Sequence, residues 1–147
     1  MKIISGGQTG VDRAALDVAW ELGLEHGGWC PKGRLAEDGP IEDKYILVET
    51  PKKEYVQRTE WNVRDSDATL IITAGKPTGG TAYTIEIAKY IKKPCYVVDP
   101  SQPEATGDVR EWIGREDVKV LNVAGPREST LPGSYEGAKR LLLDVLR

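Results

Sequence analysis

The sequence predicts an α/β fold in which a mainly parallel sheet is covered by helices on both faces, giving three layers. Short β-branched runs alternate along the chain with segments whose apolar residues recur at helical spacing. The run at 68–73 is continuously apolar in its middle, which is typical of a strand buried on both faces of a parallel sheet. Strands that alternate with helices indicate parallel pairing through crossovers.

The individual elements follow from periodicity and from their stop signals. The helix at 11–22 repeats its apolar residues at i, i+3 and i+4, and Gly23 is suited to end it. The predicted helices cover residues 11–22, 54–64, 82–91, 108–113 and 135–146. The predicted strands cover residues 2–5, 27–31, 45–48, 68–73, 95–98 and 118–123.

Composition limits the classes of function. The 147 residues are 39% hydrophobic and 29% charged, as expected of one globular domain over residues 1–147. A net charge of −3 argues against a nucleic-acid partner. No stretch resembles a secretory leader or a membrane span, so we expect a cytoplasmic protein without a membrane partner. We expect Cys30 and Cys95 to be reduced, and no metal site around the single histidine, His26.

The first strand runs into a glycine-rich turn, Gly6-Gly7-Gln8-Thr9-Gly10. Glycines let a backbone approach a ligand closely, and the N-terminus of the following helix favours an anion. Arg13 lies one turn into that helix and could add positive charge. The turn matches neither a dinucleotide fingerprint nor a Walker A sequence. We interpret it as an anion-binding turn, the alternative being a tight turn that only reverses the chain.

A second turn, Thr78-Gly79-Gly80-Thr81, follows the buried strand at 68–73 and opens the next helix. Parallel strands present these turns at one edge of the sheet, where ligands bind in such folds. Two turns of this kind indicate a phosphate cradle more specifically than either alone. Glu86 lies farther along the same helix and could reach the pocket or face solvent.

Four further polar residues could complete the site: Lys32, Arg34, Arg58 and Asn62. Arginine suits bidentate contact with phosphate, although each of these charges taken alone is more often ordinary surface charge than a ligand contact. Arg58 and Asn62 are four apart and share one helix face. No nucleophile–base pair and no metal-ligand cluster can be recognised, so the residues fit binding at least as well as catalysis.

Four blocks of the sequence resemble the molybdenum carrier family (molybdenum cofactor carrier proteins). They are residues 5–17, 27–39, 55–67 and 79–84, in family order over the first two-thirds of the chain. The resemblance implies a Rossmann-like fold that binds, protects and transfers molybdenum cofactor, a phosphorylated molybdopterin. It also implies a homo-oligomer, dimer or tetramer, and recipient molybdoenzymes as partners.

The second turn also resembles the PGGxGTxxE motif of the related lonely-guy phosphoribohydrolases. The Gly-Thr pair is displaced in Gly79-Gly80-Thr81, which weakens the case for hydrolysis. Two alternatives therefore stay open beside the carrier hypothesis. One is a nucleotide-processing hydrolase with Glu86 as acid or base, and the other is a protein that senses a nucleotide or phosphate without turnover.

Overall fold

The computed structural model describes residues 1–147 and contains five helices and nine strands. The helices are α1 (Val11–Leu22), α2 (Tyr55–Arg64), α3 (Gly79–Tyr90), α4 (Ala105–Arg115) and α5 (Ser134–Leu146). The strands are β1 (Lys2–Ile4), β2 (Glu25–Gly27), β3 (Trp29–Cys30), β4 (Leu35–Ala36), β5 (Gly39–Pro40), β6 (Val48–Glu49), β7 (Ala68–Ile72), β8 (Cys95–Val98) and β9 (Val120–Ala124).

Five strands form a central parallel sheet in the order β2-β1-β9-β7-β8. The last strand of the chain, β9, therefore lies in the middle, between β1 and β7. When β9 is counted first, the order becomes 3-2-1-4-5, which is that of a Rossmann sheet. The chain thus follows a circularly permuted Rossmann order, and the predicted parallel α/β architecture is confirmed.

Helices cover both faces of this sheet. On one face α5 packs between α1 and α4, and on the other α2 packs against α3. Right-handed crossovers place helices on opposite faces when the crossovers run in opposite directions along the sheet. The larger core lies under α1, α4 and α5 and includes Ile3, Leu70, Leu121, Trp112 and Leu142. All five residues of β7 are buried, as its apolar run predicted.

Residues 28–54, here called the cap, leave the sheet and form two small ribbons. In the cap β3 pairs with β6 in parallel, and β4 pairs with β5 in antiparallel. A second apolar cluster joins the cap to α1, and its members are Leu16, Cys30, Ala36, Ile41 and Tyr45. The cap covers the first glycine turn.

The predicted strand at 27–31 is divided in the structure. Residues up to Gly27 belong to the central sheet, whereas Trp29 and Cys30 belong to the cap. Gly28 makes this break possible because its φ is +125° and a Cβ there would lie 2.3 Å from the Ser5 oxygen. α1 and β8 have the predicted bounds, and the other predicted elements are present with shifted ends. The strand predicted at 45–48, for example, is Val48–Glu49.

Candidate functional site

A cavity of about 740 Å³ opens where β1, β7 and β9 end at their carboxyl termini. Strand order reverses here, since β1 and β2 extend one way from β9 and β7 and β8 the other. Its walls come from the first turn, the cap, α2, the second turn and the segment after β9. Only three of its 21 lining residues are hydrophobic, so it suits a polar ligand.

The second turn forms one wall of the cavity, through Thr78, Gly79, Gly80 and Thr81. The N–H groups of Thr81 and Ala82 both donate to the Thr78 carbonyl, at 3.1 and 3.3 Å. The N–H groups of Gly79 and Gly80 begin the helix and find no acceptor within the chain, and no side chain caps this end. Two free donors and the positive end of α3 therefore adjoin the cavity.

The first turn is built differently, because most of it is buried beneath the cap. A Cβ on Gly7 would lie 2.6 Å from Leu47 Cδ1 of the cap. Two of its five amides are also used internally: Gly7 N donates to Ser5 Oγ at 3.3 Å, and Gln8 N to Asp12 Oδ2 at 3.4 Å. Only Gln8 of this turn lines the main cavity, while Gly6 lines a small adjoining pocket.

The side chain of Arg13 holds the backbone of the first turn in place. Its guanidinium donates to the Gly7 carbonyl at 3.0 and 3.2 Å and pairs with Asp38 of the cap at 2.9 Å. Arg13 does not line the cavity. The structure thus gives this arginine two partners within the chain.

Arg58 and Asp12 form an ion pair in the cavity wall. Arg58 Nη1 lies 3.3 Å from Asp12 Oδ2, and the two side chains are 17% and 5% exposed. Burial raises the pKa of the Asp12 carboxyl, although the neighbouring Arg58 acts in the opposite direction. Arg58 Nε is buried without a hydrogen-bond acceptor. Nε of Arg58 is therefore an unused donor within the cavity wall.

Three more cations line the cavity without a salt bridge to the chain: Lys32, Lys53 and Arg127. Lys32 was predicted, whereas Lys53 and Arg127 were not. With Arg58 they make four positive side chains against the carboxylates of Asp12 and Glu54. The charge around the cavity favours an anionic ligand.

Three other predicted residues hold the backbone together. Arg34 donates to the carbonyls of Leu47, Ile41, Glu42 and Tyr45 within the cap. The amide of Asn62 clamps Trp29, accepting from its N–H at 2.8 Å and donating to its carbonyl at 3.0 Å.

The hydroxyl of Thr9 donates to Glu37 and accepts from the N–H of Glu128. Arg34, Asn62 and Thr9 do not line the main cavity, and neither does Gly10. A Cβ on Gly10 would lie 2.3 Å from the Pro126 oxygen.

The segment after β9 also lines the cavity, with Gly125, Pro126, Arg127 and Thr130. Sequence reasoning missed it. A Cβ on Gly125 would lie 2.4 Å from the Ile72 oxygen, so this glycine allows the loop to cross the end of β7. The sequence did contain a signal for this wall, because Gly125-Pro126 follows a predicted strand and precedes a predicted helix, as in the other two strand–glycine–helix units.

Glu86, the candidate acid or base of the hydrolase hypothesis, is exposed and does not line the cavity. Thr84 lies there instead, with its hydroxyl donating to the Gly80 carbonyl at 2.8 Å. None of the helices combines the length and the apolar character that crossing a membrane requires.

Comparison with protein families matches residues 3–146 to the circularly permutated YpsA SLOG family. The chain belongs to this family. The permuted strand order described above agrees with the family's description. A search of curated proteins finds no match to this member of the family.

Among solved structures, this YpsA SLOG chain is similar to the crystal structure of the Putative molybdenum carrier protein from Syntrophus aciditrophicus SB. The TM-score is 0.94 with 46% sequence identity, over 99% of this chain and 94% of that one. The resemblance to molybdenum carriers that the sequence predicted is therefore confirmed, as is the Rossmann-like fold.

Proposed function

We propose that this chain binds molybdenum cofactor in the cavity, protects it and transfers it to a recipient molybdoenzyme. The phosphate of the molybdopterin would rest on the N-terminus of α3. The observation that carries the proposal is the pair of unpartnered N–H groups on Gly79 and Gly80 beside the cavity. Such a helix end binds phosphate through its free donors and its dipole.

Charge and size support the same proposal. The guanidinium of Arg58 borders the cavity near its pairing with Asp12, and Lys32, Lys53 and Arg127 surround the opening without competing salt bridges. A cavity of about 740 Å³ lies within the range that holds a cofactor-sized ligand. The structural neighbour described as a molybdenum carrier favours this ligand over other phosphorylated molecules.

The first turn has a supporting role in this proposal. Its amides at Gly7 and Gln8 are occupied, and Arg13 braces its carbonyl, so we assign it to shaping the wall through Gln8. We propose binding in preference to hydrolysis because Glu86 lies outside the cavity. A homo-oligomer completes the proposal on the basis of the family resemblance, and a cytoplasmic location remains part of it as predicted from the sequence.

Direct binding and transfer test the proposal. Molybdenum cofactor released from a denatured molybdoenzyme is titrated into the purified protein under anaerobic conditions, and the complex is then mixed with a cofactor-free molybdoenzyme. We expect binding at micromolar concentration or tighter and recovery of the recipient's activity. Competition by inorganic phosphate tests the phosphate contact. Absence of binding, or release of free base from nucleoside monophosphates at enzymatic rates, would overturn the carrier assignment.

A further inference from the structure

We propose that Tyr55 and Leu35 hold a planar heteroaromatic ring of the ligand, so that the cavity selects a phosphorylated heterocycle over a simple oxyanion or a sugar phosphate. The inference rests on the proposed function and specifies it, because it assigns the part of the ligand beyond the phosphate. It concerns the two large apolar side chains in an otherwise polar cavity.

Tyr55 is placed beside the N-terminus of α3. It is the first residue of α2, lines the cavity and is 46% exposed, although it carries a large aromatic ring. A Cβ built on Gly80 would lie 3.6 Å from Tyr55 Cε2, so ring and turn are in van der Waals range. When the phosphate of a ligand is bound at Gly79 and Gly80, the group attached to that phosphate therefore lies next to Tyr55.

The Tyr55 ring is held in its orientation by a neighbour. Tyr83 of α3 contacts it edge-on, with ring centroids 6.4 Å apart and an interplanar angle of 89°. The Tyr83 hydroxyl donates to Glu60 Oε1 at 2.6 Å, which connects that ring back to α2. The Tyr55 hydroxyl makes no hydrogen bond within the chain. An oriented, half-exposed ring with a free polar tip is a suitable stacking surface.

Leu35 provides apolar surface on the cap side of the same cavity. Leu35 is 62% exposed and lines the cavity, while its carbonyl accepts a hydrogen bond from Gln8 Nε2 at 3.3 Å. The other hydrophobic lining residue, Ala124, offers a single methyl group. A flat ring removes more of the exposed apolar surface of Tyr55 and Leu35 from water than inorganic phosphate or a sugar could.

Calorimetric titration of four probes tests the inference: inorganic phosphate, ribose 5-phosphate, AMP and the phosphorylated pterin obtained by oxidising molybdenum cofactor. We expect at least one ring-bearing phosphate to bind at least about tenfold more tightly than ribose 5-phosphate. Tyr55→Ala should weaken ring-bearing probes by about five- to fiftyfold and leave ribose 5-phosphate within about twofold. Tyr55→Phe should retain the wild-type preference.

Leu35→Ala should weaken the same probes by a smaller factor, about two- to fivefold. Tyr90→Ala is the matched control, since Tyr90 is 84% exposed at the far end of α3 and lies outside the cavity. Equal binding of all phosphates, or an equal loss of all of them in Tyr55→Ala, would overturn the ring assignment while the phosphate site stands. Failure of every probe to bind, while molybdenum cofactor itself binds, would overturn the ring assignment alone. Failure of the probes and of molybdenum cofactor would overturn the proposed function as well.

Discussion

Arg58 of α2 donates to Asp12 of α1 at 3.3 Å, and this contact joins the two faces of the sheet at the wall of the cavity. Asp12 also accepts the N–H of Gln8, so the same carboxylate fixes the first turn. A Cβ on Gly6 would lie 2.0 Å from Arg58 Nη1, which shows how closely the guanidinium approaches the backbone there. The pair therefore joins α1, α2 and the first turn as well as forming part of the cavity wall.

Breaking this pair should destabilise the protein. Arg58→Met leaves the buried Asp12 carboxylate without its cation, and we expect the free energy of unfolding to fall by about 3 kcal/mol at pH 7. Burial raises the pKa of Asp12 above its unfolded value, so ionisation costs stability as the pH rises through the folded pKa. The loss in Arg58→Met should therefore shrink as the pH falls toward 4. Urea denaturation at several pH values measures it.

The double variant Asp12→Asn/Arg58→Met is the control for that experiment, because it removes both charges together. We expect it to recover more than half of the loss caused by Arg58→Met. Additive losses from the two single variants would contradict a direct interaction between these side chains.

Gly10 should tolerate alanine far less well than Gly23. Gly10 has φ 76° and ψ −130°, a conformation that side chains rarely adopt, whereas Gly23 has φ 69° and ψ 26°, in the left-handed helical region. A Cβ on Gly10 would in addition lie 2.3 Å from the Pro126 oxygen, whereas a Cβ on Gly23 meets nothing within 4 Å. We expect Gly23→Ala to cost about 1 kcal/mol and Gly10→Ala about 3 kcal/mol or more. Thermal unfolding of the two variants gives the comparison, and equal losses would contradict the greater backbone strain and the closer contact at Gly10.

Gly80→Asp should separate ligand binding from stability. A Cβ at this position makes only ordinary contact with Tyr55, and a carboxylate near a helix N-terminus is favourable. The melting temperature should therefore stay the same or rise, while binding of a phosphorylated ligand falls by at least about tenfold. Gly107→Asp, in the first turn of α4 with open space around it, makes the same charge change away from the cavity. Unaltered binding in Gly80→Asp would show that the N-terminus of α3 does not contact the ligand.

The cap should loosen in acid. Hydrogen bonds from Ser129 and Thr9 lower the pKa of Glu37, and the bond from Arg13 lowers that of Asp38. A carboxyl whose folded pKa is lowered stabilises the fold above its unfolded pKa and loses that effect as the pH falls through the folded value. Hydrogen exchange at residues 28–54 should accelerate below about pH 4, relative to the central sheet.

Glu37→Gln should already show faster cap exchange at pH 7, because its amide replaces one acceptor oxygen with a donor. The matched variant Glu49→Gln changes a cap carboxylate that accepts a single backbone N–H, from Gly33. Equal exchange in the wild type and Glu37→Gln would show that this carboxylate does not hold the cap.

The parts of the fold that local sequence encodes were predictable. The apolar repeat of α1, the apolar run of β7 and the strand-glycine-helix unit at Thr78–Thr81 each depend on neighbours within about ten residues. The second turn was recognised as a cavity wall for that reason. Lys32 and Arg58 were also placed among the candidate ligands, and both line the cavity.

What the sequence could not reveal depends on distant contacts. The first turn resembles an anion cradle, but the cap covers Gly7 through Leu47, some 40 positions away. Arg13 is occupied by Asp38, and Arg34 by carbonyls of the cap, neither of which spacing along the chain predicts. Arg127 reaches the cavity only because β9 lies between β1 and β7.

The central position of β9 has a consequence for biosynthesis. β1 and β7 share no hydrogen bonds and meet only through β9, which follows the other strands in the chain. Before residues 120–124 leave the ribosome, the nascent chain holds two separate pairs of strands with open edges. The cavity, whose walls come from both pairs, therefore cannot exist until residues 120–124 have been synthesised and added to the sheet, and it can bind a ligand only after that step.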